Sequence, residues 1–474
     1  MVSRRIMGAL AATGLALAVV AAPARAAEDR AIRAQMEELE RKQEALQAEM
    51  QELRRKLEAA PPAETKVVEV ERKQNVITEE VRKIREALAL PETKELKSEY
   101  GLGPAASKVY GVTRGVSLGS YGEFNYKNVV SDKGGDDDEF DFERLVLYTG
   151  YKFNDTFVFN SEIEFEHILT AGDSDGEVHV EFANLDVLLN KRLNIRSGLM
   201  LVPMGFLNEM HEPPFYHGNQ RPVVEDKIIP STWSAGGVGI FGELLPGLTY
   251  RTYAITGLDA SGFNSGGIRG GRQESIEKAE DFAWVGRIDY SPLEMLTIGG
   301  SAYLGDSGQH ESFGNDGNGR KADVFTQIYE AHGQLRTHGF EARLLGAWVE
   351  VDDAALLSSD KDINPHTTEP DEPDQPVASS QFGWYGEIAY NVLPLIDPET
   401  GHYLAPWFRY SHVDTQSDIP SGFDENHIDD FDVFEVGLTY KPIPQIVFKL
   451  DYRNQDPKSG ELPDEVRIGA GFVY

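Results

Sequence analysis

From about residue 107 to the C-terminus, apolar and polar residues alternate with a period of two. Over Phe157–Glu166, Phe157, Phe159, Ile163 and Phe165 fall on one face and Asn160, Glu162, Glu164 and Glu166 on the other. The last stretch repeats the pattern, with Val466, Ile468, Ala470, Phe472 and Tyr474 opposite Arg467, Gly469 and Gly471. Ile446, Phe448, Leu450 and Tyr452 oppose Lys449, Asp451 and Arg453; Phe434, Val436, Leu438 and Tyr440 make another apolar face. Val116–Lys127, Asp281–Tyr290 and Trp384–Val392 alternate in the same way. Such segments predict strands with one apolar and one polar face. Beyond the first residues, no apolar run approaches the ~18–20 residues of a membrane helix. Two arrangements fit: a sandwich that buries the apolar faces against each other, or a closed barrel that turns them to lipid and its polar faces to a lumen.

Several features favour the barrel. Charged residues crowd the polar faces, and most of the chain's 46 glycines fall among the strands and turns. The 41% apolar content, ordinary for a soluble protein, also suits a barrel with a polar interior. Aromatics gather near strand ends, as in an interfacial girdle: Tyr148 and Tyr151, Tyr250 and Tyr253, Trp407 and Tyr410, Tyr440. Tight hairpins such as Lys441-Pro442-Ile443-Pro444 alternate with long polar loops, and the chain ends on Phe472-Val473-Tyr474. Residues 107–474 divided among 16 antiparallel strands allow roughly 23 residues per strand and loop, comfortable for strands of ~9–11 residues. Counts of 14 or 18 also fit. The fold class expected is an all-β transmembrane barrel preceded by an α-helical coiled coil.

The N-terminal part has a different grammar. Arg4 and Arg5, the uncharged run Ile6–Ala22 and Ala24-Arg25-Ala26 form a signal peptide over residues 1–26. Residues 27–60 carry a heptad seam, with Ile32, Leu39, Leu46 and Leu53 interleaved with Met36, Gln43, Met50 and Leu57. Pro61-Pro62 breaks it, because proline has no amide proton and blocks the preceding turn. A second seam in residues 61–91 uses Val67, Gln74, Val81 and Leu88 with Val70, Ile77 and Ile84. A linker at 92–106 leads to the barrel at 107–474. The narrow stripe and the charged remaining faces predict an oligomerising stalk.

Some segments resemble a known family. Arg144-Leu145-Val146-Leu147-Tyr148-Thr149-Gly150-Tyr151 followed by Phe157–Glu166 is similar to the phosphate-selective porin O/P family of bacterial outer-membrane channels. So is Ser197-Gly198-Leu199-Met200-Leu201-Val202-Pro203-Met204-Gly205, followed by Arg221-Pro222 and Ile229-Pro230-Ser231-Thr232-Trp233. The resemblance lies in order and pattern over residues 107–474. It implies a 16-stranded barrel, usually trimeric, with a long loop in the lumen, and passage of phosphate. The added coiled coil departs from that family and would stand in the periplasm.

The functional expectations follow. Residues 203–237 are proline-rich and not strand-like, the best candidate for the lumen loop. A loop there narrows the hole and concentrates charge. Its constriction contacts are Arg221, Lys227, Glu209, His211, Glu225 and Asp226. The lumen wall is expected to carry Glu162, Glu164 and Glu166 against Arg196, Arg251, Arg287, Arg343, Arg409, Lys449, Arg453 and Arg467. Three acidic runs, 131–143, 351–375 and 414–432, read as solvated loops. A formal charge of −33 argues against nucleic acid. Cysteine is absent, and H-E-x-x-H, G-x-S-x-G and Walker A patterns do not occur, so no enzyme, metal or cofactor is expected. The expected partners are outer-membrane lipid and lipopolysaccharide, two further copies in a homotrimer, and peptidoglycan through the stalk. The expectation is a water-filled diffusion channel for small solutes or ions. The alternative is a structural tether whose barrel is an anchor.

Overall fold

The structure, a computed structural model, describes residues 48–52, 55, 96–130, 138–167, 176–273, 277–314, 320–365 and 374–474. It divides into two compact units, Met1–Lys94 and Glu95–Tyr474. In the first, residues 48–52 and 55 are helical; the signal peptide and most of both heptad seams lie outside the described residues. Parts of the acidic runs 131–143 and 351–375 lie outside them as well.

The second unit is a closed antiparallel barrel. Its strands are β1 (Gly115–Val129), β2 (Glu139–Lys152), β3 (Phe157–Glu166), β4 (Glu177–Leu188), β5 (Asn194–Leu201), β6 (Ser234–Leu245), β7 (Leu248–Thr256), β8 (Phe282–Leu293) and β9 (Leu296–Asp306). After a two-stranded hairpin, β10 (Ser312–Phe313) and β11 (Arg320–Lys321), follow β12 (Phe325–Thr337), β13 (Phe340–Val351), β14 (Ser380–Tyr390), β15 (Tyr403–Asp418), β16 (Asp430–Ile443), β17 (Ile446–Pro457) and β18 (Glu465–Val473). Each of the 16 barrel strands pairs with its neighbours in chain order, β9 pairing with β12 across the small hairpin, and β1 closes on β18 with Tyr121 opposite Val473. No helix among the described residues is long and apolar enough to cross a membrane. The 16-strand expectation holds.

Strand parity decides which side chain meets which surroundings. Leu118, Phe159, Ile240, Trp284, Ile288, Leu344, Trp348, Ile388, Phe408, Val436 and Ile468 all stand exposed on the outer face. A belt of large exposed apolar side chains around a closed barrel is the surface lipid requires. The aromatic girdle needs correction at three positions. Tyr148, Tyr253 and Trp407 have inward parity and are buried. Position near a strand end does not fix the face; parity does.

The two ends of the barrel differ. One has short turns, such as Lys152 to Phe157 and Leu245 to Leu248, and holds the beginning of β1 and the end of β18. Long connections leave the other end. The third of these, residues 202–233, turns into the lumen. Gly205, at φ 65°, makes the turn in a left-handed conformation that a side chain would strain. Strand β6 begins at Ser234, so the inward loop ends slightly before the expected position 237.

A second segment also enters the lumen. Residues 96–106, expected to be a linker, and helix α1 (Pro104–Gly111) pack on the inner wall of β1–β3. Two inward glycines make room. A Cβ on Gly119 would lie 2.7 Å from the Ala105 carbonyl oxygen, and one on Gly150 would lie 2.6 Å from Val109. Towards the long-loop end the interior is apolar: Met200, Met204, Val224, Ile228, Trp233, Phe263, Tyr303 and Tyr385 belong to one buried cluster. Two short helices lie in the long connections, α2 (Val224–Lys227) and α3 (Ala354–Ser358).

Candidate functional site

The inward loop is held by the wall through charge and carbonyl contacts. Arg409, fully buried, donates to Glu387 at 3.0 and 2.6 Å and to Glu435 at 3.0 Å. Its Nη2 also donates to the backbone carbonyl of His217 at 2.6 Å. Arg343 donates to the Phe215 carbonyl at 2.6 Å, Arg287 to that of Gly205 and Lys441 to that of Pro214. The loop answers with its own side chains: Tyr216 donates to Glu123 at 2.8 Å, and the Asn219 backbone amide donates to Asp451 at 2.8 Å. Carbonyl oxygens that a strand would pair are satisfied here by wall guanidinium and ammonium groups.

The constriction residues take separate places. Glu209 pairs with Arg251 at 2.9 Å. His211 lies 3.1 Å from Glu162 through Nε2 and 3.1 Å from the Asn208 carbonyl through Nδ1. Glu225 accepts from the Leu207 amide and the Tyr385 hydroxyl, both at 2.7 Å. Asp226 pairs with Arg269 at 2.8 Å on the long-loop side. Lys227 ends α2 and is half-buried, with Asp429 the acid whose charge it offsets. Arg221 differs from the others. Its Nε and Nη2 are buried without a hydrogen bond to any described residue, and its charge acts on Glu164 and Glu181 of the facing wall.

The wall residues all point inward. Glu162 and Glu164 are fully buried, and Glu166 keeps 27% of its side-chain exposure. Arg144 links this acidic sector, 3.0 Å from Glu123 and 3.5 Å from Glu164. Arg196 grips Asp186 with two bonds, at 2.8 and 2.9 Å, and its Nη2 meets the Tyr110 hydroxyl of α1 at 3.1 Å. The Lys449 ammonium stands 3.5 Å above the Tyr216 ring, and Arg453 donates to Gln220 of the loop. Arg251, Arg287, Arg343, Arg409 and Arg467 share the inward face. Arg144 and Lys441 were not among the expected wall cations, although Arg144 alternates with outward Leu145 and Leu147 and parity marks it.

The two lumen segments are joined by Glu212 of the loop. Its carboxylate accepts from the Ala105 amide at 2.8 Å, in the first turn of α1, where four amides have no partner in the helix. Burial pushes this loop carboxyl up to about 8. Burial also pushes the His217 imidazole down to about 4, and its Nδ1 lies 2.9 Å from the Thr439 hydroxyl. Two cavities flank the loop. One, of about 370 Å³ towards the long-loop end, is lined by Glu166, His179, Glu181, Arg269 and Glu277. The other, of about 250 Å³ at the short-turn end, is lined by Pro214, Phe215, Arg336, Glu341 and Lys441.

No family model matches the chain. An uncharacterized protein of Aquifex aeolicus is 34% identical over 396 residues, which covers 82% of this chain and 86% of that protein. Among solved structures, OmpF of Salmonella typhi, in complex with daunomycin, is 12% identical with a TM-score of 0.50; the match covers 76% of this chain and 98% of that one. The outer membrane channel DcaP of Acinetobacter baumannii is 14% identical over 76% of this chain and 97% of its own, with a TM-score of 0.48. At such identities the structural likeness shows the fold alone: a porin-type barrel.

Proposed function

The chain belongs to one family with the Aquifex aeolicus protein, and we propose that it is an outer-membrane porin, a passive channel for small solutes or ions. The observation that carries this reading is a closed 16-stranded barrel, apolar outside, whose third long connection turns inward and is held among charged wall groups. In such a barrel the solute's path is narrowed by the loop, and charge around it is weakly screened. Arg221 is the loop cation whose Nε and Nη2 make no hydrogen bond to a described residue, and its charge acts on Glu164 and Glu181. Solute passing the loop meets this pair. Phosphate, the solute implied by the resemblance to phosphate-selective porins, is one candidate. On this reading the short turns face the periplasm, the long loops face outward near lipopolysaccharide, and the heptad seams form a trimerising stalk.

A second reading has its own support. The lumen holds the 202–233 loop, residues 96–111 and a broad apolar cluster. A barrel filled in this way also suits an anchor whose stalk works towards peptidoglycan. Planar-bilayer recording of the purified full-length protein separates the two. Discrete conductance steps in groups of three support the trimeric channel, and persistent silence supports the anchor. A shift in ion selectivity on Arg221→Ala locates the constriction; unchanged selectivity removes Arg221 from it.

A further inference from the structure

The cavity at the short-turn end divides into two chemistries. One side is cationic. Arg336 and Lys441 line it, and Arg343 stands directly behind. With its amide turned to suit its neighbours, the Gln334 oxygen accepts from Arg336 Nη2 at 3.3 Å and from Arg343 Nε at 2.5 Å. Two guanidinium groups thus meet at one neutral oxygen. Lys441 adds a third cation, donating to the Pro214 carbonyl and lying 4.9 Å from the Tyr403 ring. The only carboxylate in the lining is Glu341, already taken by the Tyr403 hydroxyl at 2.6 Å and by Arg336 at 3.3 Å. Like charges gathered this closely repel unless an anion joins them.

The other side is apolar. Pro214 and Phe215 of the inward loop supply it, beside Tyr216 and His217, and are held in place by the bonds from Lys441 and Arg343 to their carbonyls. At about 250 Å³ the cavity falls just below the ~300 Å³ at which pockets for drug-sized ligands begin, so its occupant is small. Arg336 keeps 49% of its side-chain exposure, which leaves a way in and out.

We propose that this cavity binds a small carboxylate with an apolar body. The carboxylate lies on Arg336 and Lys441, where a guanidinium fork matches its geometry. The body lies against Pro214 and Phe215. An inorganic oxyanion would use the first half of the site and leave the second unused. The proposal names a solute class for the channel reading and rests on that reading only for the solute's onward passage.

Benzoate is the probe, titrated calorimetrically into the detergent-solubilised full-length protein, with acetate and inorganic phosphate as comparisons. Benzoate binds, and acetate and phosphate bind more weakly. Arg336→Gln with Lys441→Gln weakens benzoate by about tenfold or more, the scale of one charged hydrogen bond. Glu341→Gln, which removes the competing carboxylate, tightens it and gives a second readout if the double variant does not fold. Phe215→Ala weakens benzoate and leaves acetate unchanged. The proposal is overturned if the native protein does not bind benzoate, if phosphate binds as tightly, or if neither the double variant nor Glu341→Gln moves the affinity. A protein that conducts in bilayers without binding benzoate loses this inference and keeps the channel. One that binds benzoate and never conducts loses the channel and keeps the site.

Discussion

Arg409 concentrates more of the lumen's organisation in one side chain than any other wall cation. It is fully buried, bridges Glu387 on β14 and Glu435 on β16, and holds the inward loop through the His217 carbonyl. Replacing it with methionine keeps much of the volume and removes the charge. Two buried carboxylates then face each other without a cation, and one loop carbonyl loses its donor. Breaking a buried ion pair from one side costs about 3–5 kcal/mol, and a lost carbonyl bond adds roughly 1 kcal/mol. Even the lower end of that sum, about 4 kcal/mol, multiplies the unfolded fraction by roughly a thousand. The assay is urea unfolding of the barrel refolded in lipid vesicles, followed by tryptophan fluorescence, with the midpoint shift read at constant slope. The triple variant Arg409→Met, Glu387→Gln, Glu435→Gln recovers most of the loss, because neutral amides no longer demand a counter-charge. If Arg409→Met lies within about 1 kcal/mol of the native barrel, the buried charge network is not what holds this wall and loop together.

Three further outcomes are expected. Gly119→Val pushes a side chain into the Ala105 carbonyl, 2.7 Å from where its Cβ begins, and displaces residues 96–111 from the wall; limited proteolysis should cut that segment faster with the barrel intact, and an unchanged rate would place the helix elsewhere. Glu212 carries a pH effect of definite sign. Its carboxyl titrates near 4.5 in the unfolded chain and about 8 in place, so the folded state keeps a proton the unfolded chain has released, and stability drops as pH rises through that window. Unfolding midpoints of native protein and Glu212→Gln should therefore diverge between pH 5 and 8, the native protein losing ground; parallel curves would rule out Glu212 as the source. If the proposed stalk trimerises the protein, the full-length chain runs as a trimer in detergent and removing residues 27–91 leaves monomers without loss of strand content, read by light scattering and circular dichroism; a persisting trimer would show that the barrel surface alone suffices.

The barrel was legible because one physical rule, the alternation of faces along a strand, writes the same message on every strand. Phe157–Glu166 and Glu465–Tyr474 state it openly, and the register of β3 and β18 follows. The same rule places Arg196, Arg251, Arg287, Arg343, Arg409, Lys449, Arg453 and Arg467 inward. What it does not convey is which inward group meets which. Tyr148, Tyr253 and Trp407 read as interfacial because their rings tolerate both surroundings, and only counting from a neighbour of known face corrects them. Residues 96–111 were illegible for another reason. Their place in the lumen depends on two glycines and one glutamate, Gly119, Gly150 and Glu212, that lie far away in sequence and carry no local periodicity.

The inward loop raises a question that charge answers. A chain with a formal charge of −33 keeps a set of arginines and lysines on the one surface hidden from solvent and lipid. In a lumen open to water such cations would draw anions and do little else. Here Arg287, Arg343, Arg409 and Lys441 end on loop carbonyls, so they replace the hydrogen bonds that the loop gave up by leaving the sheet between β5 and β6. Unpaired carbonyls buried in a narrow space are costly, and cations on rigid strands satisfy them without ordering new backbone. The acids beside two of them, Glu387 and Glu435 at Arg409 and Asp289 at Arg287, keep those two from being buried without a counter-charge. Outside this arrangement stand Arg221, whose Nε and Nη2 make no hydrogen bond to a described residue, and Arg336, which pairs with Glu341 of the wall and not with the loop. On the channel reading, it is these cations, left unused by the loop, that would set selectivity.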